Sequence, residues 1–159
     1  MNHLLVVMLL VGVAIGQKPP KVPPLALSAK SITIFGQVDR QFGKPEDEEQ
    51  IRQVAEQELL RWGHYKIVTQ QDRQRMAEDA AYQRYQGKET KYAEPEDLVL
   101  VVYYGINRRE ASCGLALYDP RRMSRGKWGK PIWKYQIQGT HPVEWALRDL
   151  EEAIDHPEQ

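Results

Sequence analysis

Asp97-Leu98-Val99-Leu100-Val101-Val102-Tyr103-Tyr104-Gly105 is the one run in the chain that is apolar on both alternating faces. A strand with one wet face alternates apolar and polar residues, so this run predicts a central strand covered by protein on both sides. The rest of the structured sequence can be placed as strands beside it or helices over it.

On the N-terminal side, Ser31-Ile-Thr-Ile-Phe35 alternates and Gly36 follows, which predicts a first strand. Pro45 opens a helix whose first turn carries Glu46, Asp47, Glu48 and Glu49, acids that the helix dipole favours there. Ile51, Val54, Ala55, Leu59 and Trp62 form its apolar stripe and Gly63 its stop. Tyr65–Thr69 then reads as a second strand, and strand, helix, strand in close order implies parallel pairing. Asp72 to Gly87 predicts a second helix with a shallow apolar face of Met76, Ala77, Ala80, Ala81 and Tyr85. Lys88 to Glu96 is a polar loop into the central strand.

On the C-terminal side, Ser112–Tyr118 alternates Cys113, Leu115 and Leu117, and the short link through Ile106–Glu110 implies an antiparallel neighbour. Asp119-Pro120 opens a basic loop, closed by Pro131–Gln138, a strand with one wet face and therefore an edge. Thr140 is positioned to cap a closing helix with Pro142 in its first turn, and Val143, Ala146, Leu147, Leu150, Ala153 and Ile154 form its stripe. Pro157 ends it. The predicted class is α/β, a mixed five-stranded sheet in the order β-α-β-α-β-β-β-α with helices packed on it.

The 159 residues suit one domain, and 42% hydrophobic with 28% charged is a globular balance. Lys and Arg number 22 and so do Asp and Glu, so bulk attraction to nucleic acid or to an anionic membrane is not expected. Leu4 to Ile15 is continuously apolar but shorter than the roughly 20 residues that cross a bilayer. With Ala14 and Gly16 as small residues before a cut at Gln17, residues 1–16 read as a signal peptide, leaving no transmembrane segment and a secreted or periplasmic product. Residues 17–27, with four prolines between Gln17 and Pro24, read as a polyproline-like tether outside the core. The single domain then spans 28–156 and the tail 157–159.

Three stretches carry a resemblance: the helix end Leu59-Leu-Arg-Trp-Gly63 before Tyr65-Lys-Ile-Val68, the turn from Leu115-Ala-Leu-Tyr-Asp-Pro120 to Pro131-Ile-Trp133, and the amphipathic closing helix. In their order they resemble small α/β domains of bacterial envelope proteins, such as the amino-terminal domain of TolB and CsgG-like or related uncharacterised lipoprotein domains. The chain differs from these in carrying no cysteine just after the cleavage position and no following propeller. The resemblance implies a non-enzymatic envelope domain that works through partners.

No catalytic, cofactor-binding or metal-ligating set is expected. Cys113 lies among leucines, where a thiol has no base to activate it. His64, His141 and His156 lack metal-ligand spacing. The acids Glu46–Glu49 are explained by the dipole, and Gly126 and Gly129 lack the strand-to-helix context of a phosphate loop. The candidate partner-binding set is Arg121, Arg122, Arg125, Lys127, Trp128, Lys130 and Lys134, six cations in fourteen residues with Trp128 among them. Arg108 and Arg109 would extend it only if hairpin turns at opposite sheet ends met. The sequence therefore predicts an exported binding or adaptor domain whose partner is a protein or an anionic envelope component. The alternative is a small hydrolase whose site is assembled only by folding.

Overall fold

A computed structural model describes residues 18–39, 41, 43–88, 96–107, 110–122 and 129–158. Its elements are α1 (Pro24–Ser28), β1 (Ser31–Val38), α2 (Pro45–Trp62), β2 (Lys66–Ile67), α3 (Gln70–Tyr85), β3 (Leu98–Asn107), β4 (Glu110–Tyr118), a 3₁₀ turn (Pro120–Arg122), β5 (Trp133–Gln138) and α4 (Pro142–Asp155). The strand order is β2-β1-β3-β4-β5. β1 pairs parallel with β2 and β3, and β4 runs antiparallel to β3 and β5. The predicted mixed five-stranded α/β sheet is the observed one.

β3 is central, and Leu98 through Val102 are at most 1% exposed. Its even-numbered residues join Ile32, Ile34, Leu115, Leu117, Trp133 and the apolar stripes of α2 and α4 in the main core. Val99 and Val101 face the other way and cluster with Ala116, Tyr118, Phe35 and Tyr103. Burial of this many aliphatic side chains, at about 25 cal/mol per Å² of apolar surface, is the principal stabilising term.

Gly36 does not end β1 but lies inside it. A Cβ there would come 2.1 Å from the carbonyl oxygen of Glu48, so glycine is what allows α2 to approach the strand this closely. Gly63 does stop α2, in the left-handed region at φ 77° with its N–H donating to the Leu59 carbonyl. Expected to run from Tyr65 to Thr69, β2 pairs only over Lys66–Ile67. Tyr65 is instead a buried side chain whose hydroxyl donates to the Ala26 carbonyl at 2.7 Å. His141, not Thr140, occupies the N-cap of α4, without a side-chain cap bond, while Pro142 sits in the first turn as expected.

Two expectations are corrected. From Lys18 on, the proline-rich segment is no free tether: Val22 and Ala26 are buried in the main core, and Pro24–Ser28 is helical. Moreover, α3 is a helix but none of its residues is buried, so the apolar face predicted for it is not a core face; Met76, Tyr82 and Tyr85 are exposed. A Thr69–Asp72 capping box starts this helix, and an Arg73–Glu96 ion pair at 2.8 Å ties it to the sheet, with Arg73 over the Phe35 ring.

Candidate functional site: the basic turn after β4

β4 ends at Tyr118, and the next residue organises the turn. Asp119 is buried, and its carboxylate accepts three bonds from Arg121: the backbone N–H at 3.1 Å, Nε at 2.8 Å and a terminal guanidinium nitrogen at 3.4 Å. Nε of Arg122 lies 3.5 Å from Oδ2 of the same carboxylate, and the Asp119 carbonyl accepts the Arg122 N–H. An aspartate that folds back on the N–H two residues ahead is an Asx turn, and Asp-Pro-Arg-Arg is a sequence built to make one. Hydrogen bonding from the Arg121 side chain, ahead of other causes, holds the Asp119 carboxyl below its usual range and raises Arg121 in return.

A second carboxylate sits at the same end of the sheet. Asp97, at the entry to β3, accepts the backbone N–H groups of Lys30 and Ser31 at 2.8 and 3.2 Å, while its own N–H donates to the Ser31 hydroxyl. Those bonds, with a contribution from the charge of Arg121, hold its carboxyl low as well. Arg121 therefore stands in the field of two ionised carboxylates, and its side chain is still 65% exposed. Arg122 is 74% exposed and more loosely held.

The structure brings together only part of the predicted set. Arg121, Arg122 and Lys130 lie in the connection at this sheet end and are exposed. Lys134 is exposed too, but opposite Ala116 on the sheet face away from the main core. Arg125, Lys127 and Trp128, like Arg108 and Arg109, lie outside the described residues. Asn107 and Glu110 pair at the end of β3 and β4 opposite Asp119. Asp119 supplies a local counter-charge to two of the six cations, Arg121 and Arg122.

Other reactive groups are accounted for by packing. Cys113 faces the core and is fully buried, and burial pushes its thiol up to about 12. His64 stacks on Trp62 at 4.7 Å and meets Tyr65 edge-on. Glu49 forms an ion pair with Arg52, whose hydrogen bond pulls its carboxyl down to about 2. Among the described residues no three His, Cys, Asp or Glu side chains come close enough to hold a metal ion. Among the same residues no helix is long and apolar enough to cross a membrane.

No protein-family model matches the chain, and no curated protein matches it. Solved structures with some likeness include the C-terminal domain of LpoB from Escherichia coli, at 14% identity and a TM-score of 0.39, covering 71% of this chain and 84% of that one. A PelC dodecamer from Paraburkholderia phytofirmans gives 14% identity and 0.41, covering 89% and 92%. A variant of that PelC gives 14% and 0.44, covering 85% and 94%.

Proposed function

We propose that this chain is an exported, non-enzymatic binding or adaptor domain of the bacterial cell envelope, and that it engages an anionic partner through the connection between β4 and β5. The supporting observation is the Asp119 turn. It fixes the backbone from which Arg121 and Arg122 project while leaving both guanidinium groups mostly exposed. Charged side chains on a pre-formed turn lose less freedom on binding than those on a floppy loop. Export and the envelope role rest on the leader-like residues 1–16 and on the sequence resemblance to TolB-type and CsgG-like domains.

Asp119 changes how the site should be tested. Reversing Arg121 would set a glutamate against a buried aspartate, so a loss of binding could come from a damaged turn. Arg122→Gln with Lys130→Glu removes two exposed cations, sets no new carboxylate beside Asp119 and leaves the Asp119–Arg121 pair. Binding is measured to two probes, phosphatidylglycerol vesicles and polyglutamate, across a salt series. The expected result is a loss of about tenfold or more at low salt, a shallower salt dependence, and a melting temperature within about 2 °C of the parent. Trp128→Ala is expected to weaken binding at every salt concentration. Unchanged binding by a folded Arg122→Gln/Lys130→Glu variant overturns the assignment.

A further inference from the structure

The proline-rich segment 18–23 lies over the C-terminal half of α4 and the start of β5, and a cavity of about 570 Å³ remains between them. Its backbone is of the polyproline type at Pro23, with φ −69° and ψ 151°. Beneath it, the indole N–H of Trp133 donates to the Pro20 carbonyl at 2.9 Å. Proline has no N–H, so a segment of this kind offers a recognising surface only carbonyls and ring faces, and a fixed indole donor is the complementary group. Trp133 is fixed: it is buried in the main core, and the neighbouring Tyr135 hydroxyl donates to Asp149 at 2.6 Å.

Charge and burial narrow the ligand further. Lys18 and Lys21 flank the prolines, and the opposite wall carries Asp149, Glu152 and Glu158. Val22 is the buried anchor, at 3% exposure, whereas Lys18, Pro20 and Lys21 are exposed, so the segment rests on its seat instead of being enclosed by it. An intramolecular ligand seated on the Val22 anchor and the Trp133–Pro20 hydrogen bond, with exposed lysines lining the same cavity as three acids, has the form of a replaceable one.

We propose that the seat formed by Trp133 and the acidic end of α4 recognises lysine-flanked polyproline segments of a partner protein, and that residues 18–22 occupy it in cis until such a segment displaces them. This proposal is independent of the basic turn. The cis segment competes at an effective concentration on the order of millimolar, so it masks the site in the parent chain.

The test uses the full chain and a fluorescein-labelled peptide with the sequence of residues 18–24. In the variant Lys18→Glu/Lys21→Glu, whose changes are at exposed positions, the cis segment is repelled by the acidic wall. The peptide is expected to bind this variant saturably and at least ~10-fold more tightly than the parent. Adding Glu152→Lys/Glu158→Lys should weaken peptide binding about tenfold, and adding Trp133→Phe should weaken it ~5-fold, the worth of one neutral hydrogen bond. The acid reversals also serve as the informative variant should Trp133→Phe not fold. Absence of saturable binding to the folded Lys18→Glu/Lys21→Glu chain overturns the proposal. So does equal binding of a peptide with every proline replaced by alanine, because charge alone would then explain it. Elution of the parent chain as a dimer with residues 18–22 exchanged between copies overturns it too, the occupant then being a second copy.

Discussion

Cys113 shows how burial decides chemistry at a single residue. Its thiol shares the core face of β4 with Leu115 and Leu117, and burial, with a smaller contribution from the charge of Glu144, raises it to about 12. The thiolate is the reactive form, so at neutral pH the folded protein holds almost none of it and no reagent reaches it without an opening. Labelling with a thiol reagent is expected to be at least ~100-fold slower in the native state than in denaturant. Fast native labelling would refute the buried assignment. This reading was available from sequence because Cys113 alternates with two leucines. The Asp119 carboxylate was harder to read, since an aspartate before a proline signals a turn whether or not it holds two arginines.

At the scale of the element, α2 and α4 were legible and α3 was only half so. A stripe at three- and four-residue spacing reports a buried face, and α4 buries Val143, Ala146, Leu147, Leu150 and Ile154 as its stripe predicts. The helix α3 forms for local reasons, a capping box and good helix formers such as Ala, Gln, Arg and Met, and local propensity says nothing about what a helix touches. Its tie to the sheet is a long-range ion pair between Arg73 and Glu96, whose carboxylate is completely buried. Removing one member of a buried ion pair is destabilising, so Arg73→Ala is expected to cost about 3 kcal/mol, measured by urea denaturation. The double variant Arg73→Met/Glu96→Leu, which removes both charges, should recover most of that. If the single variant melts with the parent, α3 is not held by this pair. The segment 17–27, expected as a tether, departs from expectation from Lys18 on for a related reason. Four prolines signal an extended chain, which part of it is, but two buried residues, Val22 and Ala26, are too few to give a periodic signal.

Across the whole molecule, the both-sided hydrophobicity of β3 fixed the architecture, since a strand buried on two faces must be central and the remaining elements have few places left. Charge is distributed by the same sheet. Asp97 and Asp119 sit at one end and are held below their usual range by backbone and arginine donors, and Asp72, at the start of α3, is held low by Thr69. A carboxyl depressed in the folded state contributes stability that is present above its unfolded value, near 3.8, and is lost as pH falls through the folded value. Tyr65, Tyr103 and Tyr135 are displaced the other way, chiefly by burial, as is Cys113. For these the neutral form is the folded one, so the unfolded chain releases protons first as pH rises past about 9 for the thiol and 10 for the phenols, and stability falls from there. The stability profile is therefore expected to be flat between about pH 5 and 8, to decline below about pH 4 as the aspartates are protonated, and to decline again above about pH 9. Urea midpoints across the pH range measure it directly. Tyr65→Phe separates the alkaline limb, because it removes one late-titrating phenol along with its bond to Ala26. The variant should be less stable at pH 7 yet lose less of its remaining stability between pH 9 and 11. An alkaline slope as steep as the parent's would show that Tyr65 ionises as freely folded as unfolded, and that its hydroxyl is not held where it meets the Ala26 carbonyl.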